Sequence, residues 1–393
     1  MLDRDSLIGV VGAGAMGSGI AQVAAVAGHR VVLADADGRA VRRARDGMAK
    51  SLSRDVEKGR LPAGGDAAVL DRLSFVEGVT DLSPFAGAGL LIEAIVERLD
   101  AKQALFAALE AVVRPESILA TNTSSLPVAA IGSVCKRPER VIGVHFFNPA
   151  PVMPLVEIVP SLATAGGVVA GARALVESWK KTTVLTSDTP GFIVNRVARP
   201  FYGESIRMYE EGIADVATID WAMKTHGGFR MGPFELMDFI GHDVNFVVTR
   251  SVFEGLSFDP RYRPSVTQQR LLEAGWLGRK SGRGFYDYRL GAVAPSPNED
   301  RALGQQIVDR TVAMLVNEAV DAVLMRVATA RDIDLAMTKG VNYPKGLIAW
   351  GEEIGMATVL SRLEALYGEY GEDRYRPSAL LRRVVRDGRS LLT

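Results

Sequence analysis

Short apolar runs alternate with longer amphipathic stretches through roughly the first 190 residues of the chain. The amphipathic stretches separate apolar runs at residues 7–11, 30–33, 73–76, 90–96 and 118–120. Apolar runs of this length, bounded by turn signals, are typical of buried strands. Strands that alternate with helices predict a doubly wound, mostly parallel sheet, in which ligands bind beyond the carboxyl ends of the strands.

Two further β-rich runs, residues 141–144 and 155–159, flank a proline-rich turn. His145 ends the first run and Glu157 lies in the second, so the two side chains are expected side by side. A carboxylate beside an imidazole fixes its tautomer and stabilises the protonated ring, as a general base near neutral pH requires. From this stretch alone, a core histidine paired with a structural glutamate is an equal alternative.

The first apolar run is followed at once by the segment GAGAMG, which contains Gly12, Gly14 and Gly17. Glycines at this spacing allow a tight turn, close approach of a pyrophosphate, and close packing of the next helix on the strand. Asp35 ends the second run, 18 positions after Gly17, where a ribose-binding acid is expected. The pattern predicts an NAD site, because Asp35 and Asp37 would repel the 2′-phosphate of NADP.

A long polar helix is expected at residues 39–58, in place of a short crossover. Lys50, Arg54 and Lys58 recur every four residues and therefore share one face. A solvated helix face is the simpler interpretation of this basic stripe. The alternative is that this stripe binds the phosphorylated part of a substrate.

Polar residues gather where two other strands end. Glu93 and Glu97 lie near the end of the run at 90–96, and Asn122, Thr123, Ser124 and Ser125 follow the run at 118–120. These hydroxyls could cap the next helix. At the same edge of the sheet, one of them could instead bind a reacting oxygen.

Composition restricts the possible partners. The chain has 393 residues, enough for two or three domains, and 46 basic residues balance 46 acidic ones, so no overall charge attracts nucleic acid. Its single cysteine, Cys135, fits a reducing compartment. A strand beginning at Leu7 leaves little room for a leader, and no apolar segment reaches 18 residues. We therefore expect a cytoplasmic protein without a membrane span.

No metal site is expected, because no carboxylate stands at a spacing from His29, His226 or His242 that suggests one.

From residue 188 the pattern changes to amphipathic helices, expected at 193–209, 218–224 and 234–253, and it then repeats. At an offset of 114 residues, Glu204 corresponds to Glu318 and Asp220 to Asp334. After a one-residue deletion, RYRPS at 261–265 recurs at 374–378. The copy carries Asp309 at the position of Asn195. The sequence therefore predicts a dinucleotide-binding domain at 1–187, a helical domain at 188–291 and a degenerate copy of it at 292–393.

Six segments in this order closely resemble the 3-hydroxyacyl-CoA dehydrogenase family: IGVVGAGAMGSGIAQVAAVAGHRVVLAD, IEAIVERLDAK, NTSSL, VIGVHFFNPAPVMPLVEIV, DTPGFIVNR and GRKSGRGFYDY. The resemblance implies a Rossmann-type sheet followed by tandem helical domains. It also implies NAD-dependent oxidation of an L-3-hydroxyacyl-CoA to a 3-oxoacyl-CoA, or the reverse, in fatty-acid β-oxidation or aromatic-acid catabolism.

The resemblance also implies roles for individual residues. His145 would be the base, Glu157 its carboxylate partner, and Ser124 the hydroxyl that binds the reacting oxygen. Asn195 would position the substrate carbonyl, and Ser51 and Lys58 would meet coenzyme A. The residues that would line NAD are Gly12, Gly14, Ala15, Met16, Gly17, Asp35, Glu97, Lys102, Ser124 and Asn148.

Two other functions share this scaffold, a dehydrogenase of free sugar acids such as gulonate and a crystallin-like structural protein with a dead site. The intact set of His145, Glu157, Ser124 and Asn195 argues against the dead site. Short members of the family pair through the helical domain, so the second copy could take the place of a partner. We expect either a monomer with an internal pseudo-dimer or a homodimer.

Overall fold

The structure is a computed structural model that describes residues 5–78 and 81–393. The chain divides between Thr189 and Pro190 into two compact units, so the residues predicted as two helical domains lie in one unit. Across the described residues, no helix has both the length and the apolar character that crossing a membrane requires.

The first unit is built on one eight-stranded sheet. Its strands are β1 Leu7–Val11, β2 Val31–Asp35, β3 Leu73–Glu77, β4 Ala88–Glu93, β5 Ile118–Thr121, β6 Val141–Phe146, β7 Leu155–Pro160 and β8 Thr182–Leu185. They lie in the order β3-β2-β1-β4-β5-β6-β7-β8, and β6 and β7 form the one antiparallel pair among them. The predicted doubly wound, mostly parallel sheet is confirmed.

The α-helices among the described residues of this unit are α1 Ala15–Val26, α2 Gly38–Glu57, α3 Gly65–Leu70, α4 Leu99–Val112, α5 Val128–Gly132 and α6 Gly166–Ser178. The expected polar helix at 39–58 is α2. Small residues on α1, including Ala21, Ala24 and Ala25, are fully buried, because close packing on the sheet leaves no room for longer side chains. Parallel strands bring the ends of β1, β2, β4, β5 and β6 to one edge, where all the predicted polar clusters lie.

The second unit is helical. Its helices are α7 Val194–Val197, α8 Arg199–Glu210, α9 Val216–Thr225, α10 Pro233–Ile240, α11 His242–Gly255, α12 Val266–Glu273, α13 Arg301–Leu324, α14 Ala330–Gly340, α15 Leu347–Ile354, α16 Met356–Tyr370 and α17 Ala379–Asp387. Two predicted helices are each split in two. Pro200 restarts the helix expected at 193–209, because it has no backbone N–H to donate. Gly241, with a φ of 98°, breaks the helix expected at 234–253.

The duplication is visible in matching contacts. Asp220 accepts hydrogen bonds from the backbone amides at the start of α10, both at 2.9 Å. Asp334, its counterpart, accepts bonds of 2.7 and 3.0 Å from the equivalent amides of α15. Gly241 and Gly355 then end the two helices with φ values of 98° and 94°. Each copy therefore uses one aspartate to cap the same helix.

The two copies also exchange equivalent ion pairs with each other. Arg196 of the first copy pairs with Glu318 of the second at 2.8 Å, and Arg310 of the second pairs with Glu204 of the first at 3.1 Å. Both carboxylates are nearly fully buried. A tyrosine at position 262 or 375 donates its hydroxyl to each of them. Such reciprocal contacts are those of a twofold interface, here formed within one chain.

Candidate active site

The glycine loop has the geometry of a dinucleotide site. A Cβ atom on Gly12 would lie 2.4 Å from the carbonyl oxygen of Ala94, and one on Gly17 would lie 1.8 Å from that of Gly12. A Cβ on Gly14 would meet nothing within 4 Å. Gly12 and Gly17 are therefore required by packing, whereas Gly14 faces open space at the first turn of α1, where Ala15 and Met16 follow. A phosphate can approach the helix amides there.

Asp35 lies at the end of β2, beside this loop. One carboxylate oxygen accepts a hydrogen bond from the amide of Ala13 at 2.7 Å, and the other accepts one from the amide of Asp37 at 2.8 Å. Asp37 in turn pairs with Arg39 at 3.3 Å. The acid is thus held in place, and Arg39, which follows it closely in the sequence, is already paired with Asp37.

A cavity of about 590 Å³ adjoins the loop. Its lining is mainly apolar and consists of Val11, Gly12, Gly14, Asp35, Ala36, Leu82, Ala94, Ile95, Val96 and Leu105. Apolar walls with a few placed polar groups are typical of cofactor sites. The residues present therefore fit the adenosine half of a dinucleotide.

Glu97 organises the turn after β5. Its Oε1 accepts hydrogen bonds from the hydroxyl of Thr123 at 2.5 Å, the amide of Ser124 at 3.0 Å, and both the amide and the hydroxyl of Ser125. Burial raises the pKa of Glu97, but the nearby Lys102 ammonium and the donors of the turn outweigh it, so the pKa lies below its ordinary value. The backbone of Ser124 is fixed by this carboxylate.

Lys102 is buried beneath the same turn. Its ammonium lies 2.8 Å from both carboxylate oxygens of Glu93, which is fully buried, and 3.2 Å from Glu97. Thr121 also donates its hydroxyl to Glu93. Lys102 therefore holds the carboxylates of Glu93 and Glu97 at this edge of the sheet. The pairing of Glu93 with Lys102 could not be predicted from the sequence.

His145 and Glu157 are direct cross-strand partners of β6 and β7. The imidazole Nδ1 lies 2.7 Å from the Glu157 Oε2, and the two residues are 5% and 0% exposed. Because Nδ1 faces the carboxylate, we assign its proton to Nδ1 and the ring lone pair to Nε2. The predicted juxtaposition of the two side chains is present, and the carboxylate orients the imidazole.

Lys181 stabilises the turn between β6 and β7. Lys181 donates hydrogen bonds to the carbonyls of Ala150 at 2.6 Å and Met153 at 2.8 Å. Burial lowers the pKa of Lys181 to about 8. Asn148, the predicted cofactor contact of this turn, is exposed. Asn122 ties the same edge together, because its side-chain oxygen accepts the amide hydrogen of Phe146.

Of the predicted coenzyme A residues, Ser51 lies on α2 and Lys58 directly follows its last residue. Ser51 is half-buried and accepts a hydrogen bond from Gln22 at 3.2 Å. Lys50, Arg54 and Lys58 are exposed. In the two described ranges of the chain, no carboxylate forms an ion pair with any of these three cations. The stripe is therefore available to a phosphate.

Asn195 lies on α7, in the second unit, and is half-buried. The turn before it contains two consecutive residues with positive φ, Gly191 at 78° and Phe192 at 47°. A positive φ is uncommon for a residue as bulky as Phe, and such residues gather at functional sites. The DTPGF segment thus fixes how the helix that carries Asn195 begins.

One histidine pair contradicts the expectation from the sequence. His242 Nε2 lies 2.9 Å from Asp238 Oδ1, both residues are fully buried, and Gln268 approaches the other ring nitrogen. The i, i+4 spacing on a helical pattern was the available signal. Asp238 also accepts the amides of Phe285 and Tyr286, both at 2.9 Å, so the pair organises the core of the second unit.

Two family models match the chain. The model of the 3-hydroxyacyl-CoA dehydrogenase NAD-binding domain matches residues 7–189. The model of the C-terminal domain of the same family matches residues 191–288 and again 307–391, as two copies of one domain would. The chain belongs to the 3-hydroxyacyl-CoA dehydrogenase family. It is an NAD-dependent oxidoreductase that acts on 3-hydroxyacyl-CoA.

Individual members of the family differ in how much of this chain they cover. The 3-hydroxyadipyl-CoA dehydrogenase of Escherichia coli is 42% identical over 97% of this chain and 98% of its own length. The probable 3-hydroxybutyryl-CoA dehydrogenase of Bacillus subtilis is 43% identical but covers 71% of this chain and 96% of its own. A crystal structure of an E. coli 3-hydroxybutyryl-CoA dehydrogenase superimposes with a TM-score of 0.92 at 40% identity, covering 98% of this chain and 99% of that one.

Proposed function

We propose that His145 is the general base that takes the hydroxyl proton of an L-3-hydroxyacyl-CoA. The observation that carries the proposal is the contact of 2.7 Å between its Nδ1 and the buried Glu157. Removal of the proton from the hydroxyl leaves the electron pair to form the C=O bond as hydride departs from the same carbon. The proton moves to Nε2, and Glu157 stabilises the imidazolium that results.

Ser124 and Asn195 complete the proposed catalytic set. Ser124, whose backbone is fixed by Glu97, would donate its hydroxyl to the reacting oxygen and hold it at the imidazole. Asn195 would hold the substrate carbonyl by its amide, the role that its place in DTPGFIVNR implies. NAD, bound at Gly12–Gly17 and Asp35, supplies the hydride acceptor.

The coenzyme A part of the substrate is assigned to α2. Lys50 and Arg54 on this helix and Lys58 directly after it are exposed and have no ion-pair partner among the described residues. Ser51 lies on the same helix. We infer that phosphates of coenzyme A bind there, since cations at a surface attract them through charge.

We expect Asp35→Ala to weaken NAD binding and to reduce the discrimination against NADP. The substitution removes both an acceptor for the ribose hydroxyl and a negative charge. The measurement is kcat/KM for each cofactor, with Asp46→Ala, on α2, as the control. Equal use of NAD and NADP by the unmutated protein would contradict this assignment.

The acyl group and the stereochemistry are tested by a substrate panel. The panel contains L- and D-3-hydroxyacyl-CoA thioesters of several chain lengths, including 3-hydroxybutyryl and 3-hydroxyadipyl, and free gulonate. Oxidation of each compound is followed by NADH absorbance. We expect turnover of the L-thioesters. Turnover of gulonate in preference to every thioester would refute the proposed substrate class.

We further propose a cytoplasmic location and a monomer with an internal pseudo-dimer. The single cysteine and the reciprocal contacts between the two helical copies support these proposals.

A further inference from the structure

A second cavity, of about 280 Å³, lies within the helical unit. One face of α8 forms part of its wall, because positions 199, 202, 203, 206, 207 and 210 all line it and recur at helical spacing. The rest of the wall is formed by Thr249, by residues 263–266 and 268, and by Arg374 of the second copy. At about 30 Å³ per water molecule, the cavity has room for a small polyatomic ion.

Of the described residues that line this cavity, four are arginines and one, Glu210, is an acid. Arg207 is neutralised by Glu211 and Glu372, and Arg374 lies 3.3 Å from Glu204. Arg199 and Arg263 have no carboxylate partner in residues 5–78 and 81–393. The lining therefore carries two uncompensated cations, of which Glu210 can offset one.

Arg199 is the unusual member of the set. It is 6% exposed, yet among the described residues its Nε has no hydrogen-bond partner, and the hydrogen bond that its guanidinium makes there is to Thr249, at 2.9 Å. It also lies 4.9 Å from the ring centre of Tyr202. Burial without an acid lowers the pKa of Arg199. A buried, unpaired charge is costly unless something binds it.

We propose that this cavity is a binding site for an oxyanion of the carboxylate or phosphate class, held by the Arg199 guanidinium with Arg263 as a second cation. A guanidinium with unused donors binds such anions through paired N–H···O bonds. Two sources offer this chemistry. One is the distal carboxylate of a dicarboxylyl-CoA, which rests on the proposed function. The other is a free anion.

The position of Arg199 connects the site to the substrate. Arg199 follows Asn195 by four residues in the sequence, and the two stand on consecutive helices, α7 and α8, of the second unit. A carboxylate at the far end of the acyl group of a thioester held at Asn195 is therefore the substrate group that this proposal assigns to Arg199. An acyl group without that carboxylate would leave the site to a free anion.

The first experiment measures the melting temperature of the full-length protein with phosphate or adipate, at constant ionic strength set by chloride. We expect a rise of roughly 2 to 4 °C for an anion that binds in tenfold excess over its Kd. Arg199→Met should abolish the rise and Arg199→Lys should reduce it. Arg250→Met, an exposed arginine next to Thr249 in sequence, is the control and should keep it. Without anion, Arg199→Met should melt no lower than the unmutated protein, because an unpaired buried charge is removed.

The second experiment compares kcat/KM for 3-hydroxyadipyl-CoA and 3-hydroxybutyryl-CoA. If the ligand is the distal carboxylate, Arg199→Met lowers the ratio of the two roughly 10- to 100-fold, and Arg250→Met leaves it unchanged. If the ligand is a free anion, only the melting temperature responds. If the protein turns over neither thioester, the melting-temperature experiment still tests whether the cavity binds an anion. The proposal would be overturned if anions left the melting temperature unchanged and Arg199→Met left the ratio of the two kcat/KM values unchanged. It would also be overturned if Arg199→Met lowered kcat/KM equally for both substrates.

Discussion

Replacing His145 with Gln should lower turnover by roughly 10²- to 10⁴-fold, the usual worth of a positioned acid–base group. Glutamine can still donate a hydrogen bond to Glu157, so the buried pairing of β6 and β7 is kept. It cannot accept a proton on the opposite side of the side chain. NAD binding, measured by fluorescence titration, should persist, because the glycine loop and Asp35 lie on other strands.

Glu157→Gln tests the other half of the pair. It keeps the shape of the side chain but removes the charge that stabilises the imidazolium, so it should lower kcat and shift the pH profile of kcat/KM. His226→Gln, in the second unit, is the matched control and should keep full turnover. Near-normal activity in His145→Gln would show that another group takes the proton.

The alternation of strands and helices was predictable from the sequence because strands buried on both faces leave unbroken apolar runs. The antiparallel turn at β6–β7 was equally accessible, since prolines bracket it. The breaks at Pro200 and Gly241 were not placed, because the amphipathic pattern continues across both and hides a change of backbone direction. Periodicity reports which face is buried and is insensitive to a single residue with unusual φ.

Some residues of the candidate site could likewise be predicted from the sequence, and others could not. Residues within short motifs, such as Gly12, Asp35 and His145, could be found because one stretch of chain holds their geometry. The pairing of Lys102 with Glu93 depends on side chains from a strand and the helix after it. Arg199 gave no signal at all, because an arginine in a polar-looking helix is ordinarily a surface residue. Its burial without an acid is a property of the packed unit alone.

The second helical copy bears on stability as well as on descent. Helix α13 packs against α8 and α9 of the first copy, and it carries Glu318 and Arg310, which pair with Arg196 and Glu204. Removing one partner of a buried ion pair costs about 3–5 kcal/mol. A chain without the second copy would therefore expose an apolar face and two buried charges at once.

We expect a chain ending at Leu290 to pair with a second copy of itself or to aggregate, whereas the full-length protein stays monomeric. In a pair of shortened chains, Arg196 of each can reach Glu204 of the other, the contact that the duplication reproduces within one chain. Light scattering after size exclusion gives the mass of each species. Glu204→Leu in the shortened chain is the control, because it removes the acceptor on both sides and should prevent a soluble dimer. A shortened chain that is monomeric, soluble and fully active would contradict the pseudo-dimer and leave the second copy with a different role.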